Sequence, residues 1–110
     1  MNFGGRLRQL RESRHLNQSD LADSIGVSTV YVCDIEKNRR YPPDADKLKK
    51  WAHQMALSPE EEAELFDLAG QSRGVPGADI IEYLLGTPTA CAAIRRIIRQ
   101  KQEFNWNTIP

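Results

Sequence analysis

No stretch of about 18 apolar residues occurs in the chain, so the sequence offers no helix able to span a membrane. The opening residues, Met1 to Arg6, lack the apolar run of a secretory signal, and a cytoplasmic protein is expected. Cysteine is scarce. Cys33 and Cys91 lie far apart and form no Cys-x-x-Cys pair, which argues against a disulfide framework or a zinc site. No metal and no cofactor are expected. Alternation of apolar and polar residues long enough for a strand is missing as well, and no internal repeat is present. The fold class expected is all-α. Net charge is also lacking: the formal value is zero, which taken alone argues against a nucleic-acid partner.

The charge is unevenly spread, however. Residues 1–43 carry Arg6, Arg8, Arg11, Arg14, Lys37, Arg39 and Arg40 against five acidic groups, whereas residues 44–70 carry three lysines against seven. Screened fields act over only about 8–10 Å, so a locally basic face can work on a neutral protein. The length, 110 residues, suits one compact domain with an appendage.

Short helices account for almost every segment. Phe3, Leu7 and Leu10 recur at helical spacing and predict a first helix ending near Arg14 to Leu16. Asn17 is a good N-cap for a second helix over 18–25 that buries Leu21, Ala22 and Ile25, and Gly26 supplies the left-handed stop. Ser28 caps a third, with Val32 and Ile35 inward and Asn38 turning the chain at its end. Pro42 and Pro43 forbid continuation, and Asp44 restarts a helix whose stripe is Leu48, Trp51, Ala52 and Met55. Ser58, Pro59 and Glu61 open a fifth, burying Leu65, Phe66, Leu68 and Ala69. Trp51, Met55 and Phe66 read as core.

Gly70 to Gly77, with three glycines and a proline, reads as a linker between a domain at 1–69 and a small helical extension at 78–110. The extension holds Ile80, Ile81, Leu84 and Leu85 on one short helix. Thr87 and Pro88 open a longer one, with Ile94, Ile97 and Ile98 on one side and Arg95, Arg96 and Arg99 on the other. Two such helices cannot bury both stripes alone, so a partner surface is expected, a second copy of the chain before the first domain. Residues 104–110 are unpatterned.

Residues 17–38 hold the informative spacing. Two short helices meet at Gly26, and Ala22, four residues earlier, is small where they must cross. This is the steric recipe of a helix-turn-helix, whose second helix protrudes toward the major groove of double-stranded DNA, about 12 Å wide. Here the chain resembles the Cro/cI-type helix-turn-helix regulators, the xenobiotic-response-element family. Four fragments carry the likeness: Leu7, Arg8, Leu10 and Arg11; Asn17, Gln18, Leu21 and Ala22; Ile25 to Ser28; and Tyr31 through Pro43. It covers roughly residues 3–69 and implies a five-helix DNA-binding domain.

The resemblance assigns base contacts to Ser28, Thr29, Val30, Cys33 and Asp34, and phosphate contacts to Asn17, Gln18, Tyr31, Lys37, Arg39 and Arg40. Their chemistry agrees: Thr29 can donate or accept, Val30 can pack on a thymine methyl, and Asp34 can accept from cytosine N4. The chain departs from the pattern at Val30 and Asp34, where many members carry Arg, Lys or Gln, so the operator is not legible. Arg11 and Glu36 match positions that pair in the family, a structural link between the first and third helices. The expected function is a repressor that binds an inverted repeat as a homodimer. The resemblance also admits a toxin or metallopeptidase partner.

Two other readings stand beside it: a DNA-binding antitoxin whose residues after Gly70 grip a toxin, and an interaction module that has lost DNA binding. Enzyme chemistry finds no foothold. Ser13, Ser19 and Ser24 lack a histidine and acid at triad-like spacing, and His15 and His53 sit on different helices without ligand-spaced partners. The Glu60 to Glu64 run reads as dipole compensation at a helix start. Cys33 as a redox sensor has only Lys37 and Arg39 nearby to lower its pKa.

Overall fold

A computed structural model describes residues 1–100, so residues 104–110 and the end of the expected extension lie outside the described residues. Among the described residues seven helices follow in order: α1 (Phe3–Ser13), α2 (Gln18–Ile25), α3 (Thr29–Glu36), α4 (Ala45–Gln54), α5 (Pro59–Arg73), α6 (Ala78–Leu85) and α7 (Pro88–Arg99). There is no strand among the described residues, and the chain is all-α.

Side-chain chemistry sets the start of each of the first five helices. Asn2, Asn17, Ser28, Asp44 and Ser58 each accept a hydrogen bond from the backbone N–H three residues on, which satisfies an otherwise orphaned donor. At α2 and α5 the bond is returned, from the cap's own N–H to Asp20 and to Glu61. The stops are left-handed residues: Gly26 at φ 70°, Asn38 at φ 59° and Gly74 at φ 72°. His15 and Ala56 turn the same way at φ 56° and 50° without a glycine's freedom.

The apolar stripes of α1 to α5 converge on one core. Leu7, Leu10, Leu21, Val32, Ile35, Leu48, Trp51, Met55 and Leu65 are essentially inaccessible, with Phe3, Ala22, Phe66 and Ala69 beside them. Ile25 and Leu68, expected inside, are only half-buried at its edge. Phe3 brings the start of α1 onto α3, and Gly4 is why it fits. A Cβ on Gly4 would stand 2.4 Å from the Ile35 carbonyl oxygen and 2.5 Å from that of Glu36. Any side chain there would push the two helices apart.

The linker expected from Gly70 does not begin there. Helix α5 runs on to Arg73, and Gly70 is buried within it because the returning backbone lies directly on it. A Cβ at Gly70 would meet the Val75 oxygen at 2.4 Å and the Pro76 carbonyl at 2.8 Å. The glycine that reads as a break in sequence is a close-packing residue in space. The described chain falls into two units, a first at Met1–Asp79 and a second beginning at Ile80. In the second, α6 and α7 bury no residue, and Thr87 makes no side-chain cap bond to α7. No helix among the described residues is long and apolar enough to cross a membrane.

Candidate nucleic-acid interface

The α2–α3 corner is built on small residues and backbone bonds. Ala22 is 1% exposed, and its carbonyl accepts from the Val27 N–H at 3.0 Å across Gly26. Val27 covers the corner from its half-buried position against the core. Trp51 holds α2 from below, its indole Nε1 donating to the Leu21 carbonyl at 2.9 Å, and the Gln54 amide donates to the Asp20 carbonyl at 3.0 Å. A buried indole N–H needs such a partner, and α2 supplies it.

With Val32 and Ile35 facing the core, the other side of α3 is left outward. Ser28, Thr29 and Val30 are exposed, Val30 by 68%, and Cys33 and Asp34 are half-buried along the rim. Thr29 and Val30 make no side-chain hydrogen bond among the described residues, and Ser28 uses only an acceptor lone pair to cap α3. The Ser28 hydroxyl proton remains available. Helix α3 (Thr29–Glu36), between its caps Ser28 and Lys37, thus turns one side outward and the other, with Val32 and Ile35, to the core.

One ion pair fixes α3 against α1. Arg11 Nε donates to Glu36 Oε2 at 2.7 Å and Nη2 to Oε1 at 3.0 Å, while Nη1 reaches the Leu16 carbonyl at 2.9 Å. The side chains are 11% and 3% exposed, so the pair is nearly dry and its bidentate geometry is sharply defined. The hydrogen bonds from Arg11 to Glu36 outweigh the opposing effect of burial and raise the guanidinium pKa further above its ordinary value. The sequence-based pairing of these two residues holds in the structure.

Gln18 is drawn into the same network. Its amide donates to Glu36 Oε1 at 2.9 Å, so the first residue of α2 bonds the last residue of α3. Asn17 is likewise occupied: its side-chain oxygen accepts from the Asp20 N–H and the Ser19 hydroxyl, and its own N–H donates to Asp20. Both residues stand at the positive end of α2, where the Gln18 side chain ties α2 to α3 and that of Asn17 caps α2 itself.

Beyond α3 the chain turns at Asn38, whose Oδ1 accepts from the Gly4 N–H at 3.1 Å. Lys37, Arg39 and Arg40 are exposed. Arg39 and Arg40 have no acidic partner among the described residues. The Arg40 guanidinium lies 4.8 Å over the centroid of the Tyr31 ring, which brings two of the expected phosphate contacts together. Stacking uses the face of a guanidinium and leaves its N–H edges free. A cleft of about 330 Å³ opens beside this loop, lined by Phe3, Asn38, Arg39, Arg40, Tyr41, Pro42 and Ser72.

Sequence reasoning took Trp51 for plain core and gave Asn38 only its turn. No local signal reports bonds made to partners some thirty residues away. The second unit keeps its own group of expected contact residues. Ile80, Leu85 and Ile98 are exposed by 48%, 81% and 57%, and Ile81, Leu84, Ile94 and Ile97 are half-buried.

Comparison with known proteins agrees with this geometry. The helix-turn-helix family model matches residues 7–61, half of the chain, from the middle of α1 into the first turn of α5. A curated relative, the ImmF control region 10 kDa protein of Bacillus phage phi105, is 36% identical over 50 residues. That match covers 46% of this chain and 54% of the phage protein, so the chain spans about half the length of its relative. With its corner, its outward α3 and its matched sequence in one place, the protein belongs to the helix-turn-helix family of Cro/cI type, the xenobiotic-response-element class of DNA-binding transcription regulators.

Proposed function

We propose that the protein is a sequence-specific repressor that binds an inverted-repeat operator as a homodimer. The observation that carries this reading is the outward side of α3, held by the dry Arg11–Glu36 pair and topped by unbonded Thr29 and Val30. Laid in a major groove, this side offers Ser28, Thr29, Val30, Cys33 and Asp34 to base edges. Asn17, Gln18, Tyr31, Lys37, Arg39 and Arg40 meet the phosphates, Asn17 and Gln18 with the N–H groups at the start of α2 as well as with side chains.

The second copy joins through the apolar faces of α6 and α7, and a two-fold axis sets the two recognition helices about 34 Å apart. The resulting footprint excludes polymerase from an overlapping promoter. The phage relative's name, a control-region protein, supports a regulatory role for this chain too.

Selection from a random pool of duplex DNA tests the reading in one experiment. The expected outcome is a short motif with two-fold symmetry, its half-sites about 10 base pairs apart. A motif without symmetry sinks the dimer, and recovery of no motif at low salt sinks the DNA reading.

A further inference from the structure

The loop that carries Arg39 and Arg40 is almost unsupported by its own backbone. After the Arg39 N–H bonds the Asp34 carbonyl, the next backbone bond is made by Leu48 to Asp44. Pro42 and Pro43 have no N–H to give. Across residues 40–43 a single hydrogen bond is made among the described residues, and it comes from a distant side chain. Arg73 Nη2 donates to the Pro42 carbonyl at 2.6 Å. The same guanidinium lies 5.3 Å over the centroid of the Tyr41 ring, which is otherwise 64% exposed. Arg73 is the last residue of α5 and lies outside the segment that matches the helix-turn-helix family.

The two arginine–tyrosine stacks are consecutive along the loop. Arg40 rests on Tyr31 of the recognition helix, and Tyr41, the next residue, lies under Arg73 at the end of α5. The loop is therefore held at one side by α3 and at the other by α5, and each stack leaves guanidinium edges free. An arginine aimed in advance gives up less freedom when it meets a phosphate.

We propose that Arg73 is a positioning residue for DNA binding: by gripping Tyr41 and Pro42 it sets the direction in which Arg39 and Arg40 meet the phosphate backbone. The proposal rests on the reading of those two arginines as phosphate contacts, and its test separates the two ideas. The full-length chain is titrated with its selected DNA site over a range of salt concentrations, as wild type, Arg73→Ala, Arg73→Lys and the double variant Arg39→Ala/Arg40→Ala with and without Arg73→Ala.

Arg73→Ala is expected to weaken binding about tenfold and to lower the slope of log affinity against log salt by about one. Arg73→Lys, which keeps a donor but not the planar stack, falls between. In the Arg39→Ala/Arg40→Ala background the Arg73→Ala change is expected to have no further effect. Equal losses in both backgrounds overturn the proposal, because Arg73 would then be touching DNA itself. No loss in either background overturns it too.

A second readout needs no DNA. Backbone amide order parameters of Arg40 and Tyr41 are expected near the rigid value of about 0.85 in the wild type and below about 0.6 in Arg73→Ala. Unchanged order parameters overturn the grip itself. If the wild type selects no DNA motif while the order parameters fall, the phosphate reading fails, and with it the role of Arg73 in binding.

Discussion

The two units of this chain solve the same problem differently. In Met1–Asp79, five amphipathic helices turn their apolar stripes onto one another, and Trp51, Leu7, Leu65 and their neighbours lose almost all contact with water. In the second unit α6 and α7 also carry apolar stripes and bury no residue. Their helix starts differ as well: α1 to α5 are each capped by a side chain, whereas Thr87 leaves α7 uncapped. Helical periodicity shows that a face is apolar and says nothing of where its cover comes from. The first unit has an internal core, whereas the second leaves its apolar stripes exposed or half-buried.

That contrast is tested most severely in the core. Trp51→Ala removes a buried indole and its bond to Leu21, and is expected to destabilise the first unit by about 4 kcal/mol in denaturant unfolding. Leu85→Ser, at an exposed site of the second unit, should shift the same curve by less than about 0.5 kcal/mol at concentrations where the chain is monomeric. A large effect of Leu85→Ser there would mean that the second unit supports the first.

Next in size is Arg11→Ala, which strands the Glu36 carboxylate in a nearly dry site and is expected to cost about 3 kcal/mol by the same measurement. A loss below about 1 kcal/mol would show that water reaches the carboxylate readily.

The proposed dimer gives the third test. Leu85→Asp/Ile98→Asp should leave the unfolding of the first unit unchanged and weaken operator binding about a hundredfold, because a single half-site then holds each chain. Unchanged affinity with a monomeric hydrodynamic radius would place the second unit outside DNA binding.

The caps give a smaller effect with a defined sign. The Glu61 carboxylate accepts from the Ser58 N–H and from Arg14, and these bonds hold its pKa below the ordinary value of 4.5. A depressed folded-state pKa makes its contribution complete above that ordinary value and lost as pH falls through the lowered one. Glu61→Gln is expected to cost about 1 kcal/mol at neutral pH and to flatten the acid limb of stability against pH. Thr87→Ala, by contrast, should have no measurable effect on α7 helicity.

Smallest and opposite in sign is Ala56→Gly. Its φ of 50° strains a side chain that touches little, so glycine there should stabilise the first unit by about 0.5 kcal/mol.

What could be read from the sequence was what neighbours in the chain decide. The bounds of α2, the caps Asn17, Ser28, Asp44 and Ser58, and the stop at Gly26 are local chemistry and stand where the sequence puts them. The Arg11–Glu36 pair was reachable only through a family pattern, since the two are 25 residues apart. Gly70 misled because glycine lowers helix propensity, while the reason for its presence, the backbone of Val75 and Pro76 lying on it, is set by packing. The grip of Arg73 on Pro42 spans 31 residues and leaves no periodic trace at all.

The two sides of α3 answer to different demands. Val32, Ile35 and Glu36 are held by the rest of the first unit, but Thr29 and Val30 bond to nothing within it. Under the proposed reading, replacing the latter pair alters what the surface can recognise while leaving melting behaviour nearly untouched. A lineage carrying this chain is therefore free to wander between target sequences without crossing the threshold at which the protein ceases to fold.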